Sequence, residues 1–145
     1  MPFETRVLVR FHHADIAGVM FYGNLFFFAH QVFEEFVVAA GFQWSEWFEN
    51  PDWLVPFRHV EADYLKPKRP GRELVGKLWL EGMGETSITV RIRFFDQTGD
   101  LCSELRMVVV FTDKRAERKL PIPPGVRARL EPFLEAVPPS SAGSG

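Results

Sequence analysis

The 145-residue chain has a single cysteine, Cys102, only two tyrosines, and no marked excess of charge of either sign. One cysteine excludes an internal disulfide framework and suits a reducing compartment. Seventeen basic residues against 19 acidic ones leave a net charge of −2, which supplies neither a field for nucleic acid nor a basic face for a membrane. The longest apolar stretch, Leu25 to Val38, is interrupted by His30, Gln31, Glu34 and Glu35, too polar and too short to cross a bilayer. Met1 to Arg6 lacks the basic-then-apolar pattern of a secretion signal, so a cytoplasmic protein is expected. There is no GxSxG element for a serine hydrolase of the α/β type, and no HExxH or paired CxxC to hold a metal. His12 and His13 are adjacent and, if extended, point to opposite faces, so no metal or other cofactor is expected.

Phenylalanine is abundant: 15 residues, against 12 leucines and six tryptophans and tyrosines together. With 46% apolar and 25% charged residues, a chain of this length predicts one domain with one core. That domain is read as 1–137. The small, polar residues 138–145 are read as a disordered tail or a cloning remnant. Charge is divided unevenly: residues 1–57 carry two arginines against seven acids, net −5, and residues 58–145 are net +3. An anionic ligand would lean on the second part.

Val7, Val9 and Phe11 alternate with Arg6, Leu8 and Arg10, the period of a strand over Thr5 to Phe11. A polar loop follows. Asn24 is placed to cap a helix running to about Ala40, with Gly41 as its stop. The apolar residues of this helix cover nearly its whole circumference, which predicts that it is enclosed. Trp44 to Asp52 reads as an irregular aromatic segment. Four strands are then expected: Val55–Leu65, Glu73–Glu81, Thr86–Phe95 and Leu101–Thr112, the second and third joined by a glycine turn at Gly82-Met83-Gly84. A short helix over Val126–Val137 is interrupted or restarted at Pro132. This order predicts an α+β fold in which a five-stranded, antiparallel, curved sheet wraps one long apolar helix.

The stretch from Asp15 to Leu25 carries the chemistry. A chain that attacks an activated carbonyl needs a base or nucleophile on one side and donors for the developing oxyanion on the other. Asp15 lies nine residues before Asn24, close enough to fold back over the start of the helix. The amides around Tyr22, Gly23 and Asn24 are among the orphan donors of a helix N-terminus, and Gly23 leaves room for a substrate. His30 and Glu34 stand four apart on the helix, either a polar pair facing the site or a satisfied polar spot in the helix–sheet interface. Gly82 to Ser87 looks superficially like a phosphate loop, yet no helix follows it. Cys102, isolated, reads as a small hydrophobe.

Asp15-Ile16-Ala17-Gly18-Val19-Met20-Phe21-Tyr22-Gly23-Asn24-Leu25 resembles the signature D-x-x-G-[VI]-[VM]-[FWY]-[FY]-x-N-[FYL] of the hot-dog acyl-CoA thioesterases of the 4-hydroxybenzoyl-CoA thioesterase family. The likeness continues through Ala29 to Glu34, similar to the subgroup acting on 1,4-dihydroxy-2-naphthoyl-CoA, through His59 to Pro67, and through Lys119 to Pro123. It covers roughly residues 5–135. The resemblance implies the hot-dog fold, Asp15 as the catalytic carboxylate, acting as nucleophile or as general base, and the Tyr22 amide, with Gly23 beside it, as oxyanion donor. It implies acyl-CoA as substrate, aromatic or of medium length, with CoA as part of the substrate. Gly18, Phe21, Asn24 and His30 would line the site. In that family two protomers build each site, so His59 either reaches across a dimer interface, in a homodimer or homotetramer, or is simply a cross-strand polar residue. Thr86 and Ser87 would approach the CoA phosphates. Lys66, Lys68, Arg69, Arg91 and Arg93 belong to the net-positive part and are further candidates for those phosphates, most of them otherwise solvated surface. Two other readings remain: a hot-dog hydratase or dehydratase using His30 and Glu34, and a non-catalytic acyl-CoA-binding module. Against the second, the chain has no DNA-binding helical segment outside 3–137.

Overall fold

The structure, a computed structural model, describes residues 1–140. Alternation decides its layering. In the strand Ser87–Phe95 (β4), Ile88, Val90, Ile92 and Phe94 are buried on one face while Thr89, Arg91 and Arg93 turn to the other. The same division runs through Phe3–Leu8 (β1), Glu73–Met83 (β3) and Leu101–Val110 (β5), whereas Phe57–Tyr64 (β2) is exposed or half-buried along its whole length. All neighbours are antiparallel, in the order β1-β3-β4-β5-β2, with β1 and β2 at the edges. Register shifts at Phe57/His59, Leu80/Gly82 and Phe94/Phe95 mark bulges, which bend a sheet and deepen its twist. This is the five-stranded curved sheet that the element order implies.

The helix Asn24–Ala39 (α1) lies on the inner face, burying Leu25, Phe28, Ala29, Val32, Phe33, Phe36 and Val37. At about 1.5–3 kcal/mol per large apolar side chain, this one face is a main source of cohesion. The helix is not enclosed, however. Phe27 is 75% exposed, and Phe26 and Val38 are also open, because a single sheet covers only one side of a cylinder. Two of the five phenylalanines on this helix therefore do not fill the core.

Other boundaries also differ from expectation. β1 ends at Leu8, and Phe11–His13 form a 3₁₀ turn with Phe11 exposed. Trp44–Phe48 is a short helix (α2) with Trp47 buried against Phe33, Phe42, Trp53 and Phe111, so aromatic packing orders a segment that has little periodicity. β3 runs through Gly82 to Met83, with the bulge absorbing the glycine; the turn lies at Gly84–Thr86. The last helix (α3) covers Pro124–Leu130 and gives way at Pro132 to a 3₁₀ turn, Glu131–Phe133. Arg129 docks it by pairing with Glu46 and lying 4.0 Å over the Phe42 ring.

Beyond α3, Leu134 bridges Leu80, and the chain crosses to the outer face of the sheet, where Arg93 donates to the Pro138 carbonyl at 2.7 Å. Pro138, in the segment read from composition as a disordered tail or a cloning remnant, is met there by Arg93; 141–145 lie outside the described residues. Among the described residues no helix is long and apolar enough to cross a membrane.

Candidate active site

Asp15 sits in the loop between the 3₁₀ turn and α1. Its Oδ1 accepts the Ala17 N–H at 2.9 Å, and its carbonyl accepts the Gly18 N–H at 3.0 Å. This side-chain-capped turn needs φ of +76° at Gly18, a conformation glycine adopts without steric cost. The Asp15 N–H donates to the Val19 carbonyl at 2.9 Å and Ala14 bridges Met20, so the loop doubles back as a miniature hairpin. The His13 carbonyl accepts both the Phe21 N–H at 2.8 Å and the Asn24 side-chain amide at 2.9 Å. Asn24 is therefore not the cap. It is the first helical residue, Gly23 holds the cap position, and the Asn24 side chain reaches back to pin the Asp15 loop to the helix start.

The helix begins with short-range bonds. Asn24 N–H donates to the Phe21 carbonyl, and Leu25 N–H to that of Tyr22. The Asn24 amide is consequently unavailable to a ligand, whereas the Tyr22 and Gly23 amides have no acceptor among the described residues. Two adjacent donors at the positive end of a helix are suited to a developing oxyanion. The Tyr64 hydroxyl donates to the Tyr22 carbonyl at 2.7 Å, fixing the peptide that carries the Gly23 N–H. A Cβ at Gly23 would fall 2.8 Å from the Phe21 ring, which explains the glycine sterically. Beside this turn lies a depression of about 260 Å³ walled by Val19, Met20, Tyr22, Tyr64, Lys66 and Lys68.

Residues 9–130 match the thioesterase-like superfamily. The chain belongs to that superfamily. It is 31% identical over 134 residues to a 1,4-dihydroxy-2-naphthoyl-CoA hydrolase of Synechococcus sp. (strain CC9605), covering 88% of this chain and 89% of the relative. A hydrolase of the same name from Acaryochloris marina is 32% identical over 83 residues, 57% of this chain and 61% of that protein. The chain spans about three fifths of the length of that relative and of the Nostoc punctiforme hydrolase. Among solved structures, a 1,4-dihydroxy-2-naphthoyl-CoA thioesterase from Synechocystis aligns with a TM-score of 0.81 at 17% identity, covering 90% and 97% of the two chains. A Staphylococcus aureus protein solved with CoA reaches 0.86 at 14% identity, covering 100% and 93%. At these identities the structural likeness establishes the hot-dog fold.

Within one protomer of this thioesterase-like chain, the other site residues expected from sequence lie elsewhere. His30 sits halfway along α1 among Phe33, Phe48 and Phe57, and Glu34, 3.7 Å away, also accepts from the Trp44 indole. His59 shares the outer sheet face with Glu61, 2.6 Å from it, and so points away from α1. Ser87 pairs with Val110, whereas Tyr64 pairs with Ser103, seven positions along β5 and roughly 23 Å away at strand rise. Thr86 and Ser87 therefore stand at the opposite end of the sheet from Asp15.

The proposed phosphate contacts also thin out. Lys66 is held by Asp96 at 3.0 Å and Asp100 at 2.8 Å. Arg91 and Arg93 belong to an outer-face network with Glu81 and Glu104. Arg69 is left exposed beside Arg72. Burial pushes the Cys102 thiol up, as befits a core residue. His13 accepts the Arg10 N–H and packs on Phe28, and among the described residues no group of three His, Cys, Asp or Glu could hold a metal. Tyr64 is the neighbour of the Tyr22–Gly23 turn that the sequence reading does not include. Its place at the end of a strand after Ala62 and Asp63 marks it as facing the helix side.

Proposed function

We propose that the chain hydrolyses an acyl-CoA thioester at the Asp15 loop. The observation that carries this reading is the pinning of an exposed carboxylate loop to a helix start whose Tyr22 and Gly23 amides are unengaged. With the thioester carbonyl oxygen on those amides, Asp15 acts on the carbonyl carbon in one of two ways. As general base it takes a proton from water while the water oxygen bonds to carbon, the C–S bond breaks, and the proton passes to the departing CoA thiolate. As nucleophile it bonds to the carbonyl carbon and expels CoA thiolate, leaving a mixed anhydride that water then opens to free acid and the Asp15 carboxylate, the released proton passing to the thiolate. Both routes need the carboxylate ionised and give free acid and CoA thiol. The names of the relatives in Synechococcus and Acaryochloris support an aromatic acyl group, and Phe21, beside the amides, supplies a ring at that position.

The site is completed by a second copy. β2 is an edge strand with Val60 and Tyr64 exposed. Two-fold antiparallel pairing of β2 with its equivalent would extend the sheet and bring the partner's Thr86–Ser87 end beside Asp15, removing the roughly 23 Å separation.

The test is thiol release measured with a trapping reagent over a panel of aromatic and straight-chain acyl-CoAs, scored by kcat/KM. Free thiol with an aromatic preference is expected. A change in enoyl absorbance without thiol would instead indicate hydration, and neither signal with tight CoA-ester binding would indicate a binding module. No contact of the His30–Glu34 pair favours hydration, since both side chains are engaged in the packing of α1 against α2 and β2.

A further inference from the structure

Two cations are buried among the described residues, Arg93 and Lys68, and they are treated differently. Arg93 is matched by Glu104 and the Pro138 carbonyl. Lys68 is 5% exposed, yet no carboxylate of the described residues pairs with it. Its ammonium has one long contact, 3.4 Å to the Lys66 carbonyl, and stands 5.3 Å from the centre of the Tyr64 ring. An ammonium withdrawn from water with so little in return is costly unless an anion completes it. Burial pulls its pKa below the usual lysine value, the same imbalance seen from the proton's side.

Its position identifies the missing partner. Lys68 walls the depression beside Tyr22 and Tyr64, and also the adjoining groove of about 410 Å³ toward Arg69 and Arg72. The Lys68 carbonyl accepts the Met20 N–H, tying it to the Asp15 loop, and the ring beneath its ammonium is the one whose hydroxyl holds the Tyr22 carbonyl. The other lysine on both walls, Lys66, is committed to Asp96 and Asp100. Lys68 is thus the uncommitted cation of the depression.

We infer that Lys68 selects the acyl group: its ammonium receives an acidic oxygen, a carboxylate or a phenolate, carried by the acyl part of the substrate. This rests on the acyl-CoA reading above. An acyl group carrying such an oxygen supplies the buried ammonium with the partner it lacks, and one without it leaves the ammonium unpaired, so discrimination comes from that attraction. The same chemistry could come from a CoA phosphate, and the test separates the two sources.

The experiment compares benzoyl-CoA, 2-hydroxybenzoyl-CoA and 4-carboxybenzoyl-CoA, and the matching N-acetylcysteamine thioesters that lack the nucleotide, on wild type, Lys68→Met and Lys68→Arg. Wild type should favour at least one oxygenated acyl group over benzoyl by about tenfold or more in kcat/KM, the scale of one charge-assisted hydrogen bond. Lys68→Met should erase that preference on both thioester series, read as the ratio of oxygenated to benzoyl kcat/KM within each variant; Lys68→Arg should keep part of it. Three results would overturn the inference. They are an unchanged preference in Lys68→Met, an equal loss on all CoA esters with none on the short thioesters (a phosphate contact), and an equal loss on every substrate (a packing role). If Lys68→Met does not fold, Lys68→Arg decides: a preference shifted at least threefold supports the inference and an unshifted one contradicts it. If wild type releases no thiol from any ester, the hydrolase reading fails, and the same ratios are read from calorimetric binding of non-hydrolysable thioether analogues.

Discussion

Replacing Tyr64 with Phe removes one hydroxyl that touches no substrate in the proposed mechanism, yet it should slow turnover. The hydroxyl donates to the Tyr22 carbonyl at 2.7 Å, and that carbonyl shares a planar trans peptide with the Gly23 N–H. Holding one end of the peptide aims the other. Burial, reinforced by Tyr22, raises the Tyr64 pKa, so the hydroxyl stays a donor throughout the neutral range. Loss of a neutral hydrogen bond costs about 1 kcal/mol, and the Leu25 N–H at 3.2 Å remains on the same carbonyl. The melting temperature should therefore fall by only about 3 °C. Complete removal of an oxyanion donor costs roughly 100- to 1,000-fold in kcat. Loosening one of two donors should cost about tenfold, with KM changed less than about threefold. Steady-state thiol release beside thermal melts measures both quantities. A wild-type kcat with a lowered melting temperature would refute the reasoning, because it would make Tyr64 a packing residue.

Glu104→Gln should be among the more damaging conservative changes: Glu104 accepts from Arg91 and Arg93 beneath the outer face, and Arg91 already has one buried N–H without a partner. Breaking such a pair costs about 2–4 kcal/mol, or roughly 6–12 °C of melting temperature, and a shift under about 2 °C would contradict it. Acid should destabilise the fold by a signed route. The Glu46 carboxylate is lowered by its hydrogen bond from Arg129, and Asp96 is held far below the usual carboxylate range by the Thr98 hydroxyl and Lys66. Folded values below unfolded ones mean stability is fully present above about pH 5 and drains away as pH falls below about 4, so a denaturation midpoint that is flat down to pH 3 would count against these pairings. Sedimentation should report at least twice the 16.7 kDa chain mass, and a stable, fully active monomer would remove the second copy from the site.

The fold was largely legible because its signals are local. Ile88 to Phe94 alternate with period two, and Gly41 stops α1 where expected. What misled was geometry that no single segment encodes. A helix apolar all round was expected to be enclosed, but Phe26 and Phe27 face outward because the sheet is one layer. Asn24 has the chemistry of a cap, yet its amide found the His13 carbonyl eleven residues back. The loop–helix unit of Asp15, Gly18, Tyr22 and Gly23 is contiguous in sequence, so its proximity is legible there; the positions of His59, Thr86 and Ser87 depend on strand direction and length, and these residues lie on another face or at another end. From sequence Lys68 is one of several cations of the net-positive part; its burial arises from Tyr64 and the Met20 loop closing around it, which no local pattern encodes.

If the reaction takes place at the Asp15 loop, Asp15→Asn abolishes it with least disturbance, because the amide oxygen can still accept the Ala17 N–H and keep the turn. Thiol release from the best aromatic acyl-CoA should fall by about three orders of magnitude or more in kcat, with the melting temperature and the affinity for the intact ester close to wild type. Turnover within about tenfold of wild type in a folded, ester-binding variant would contradict the account.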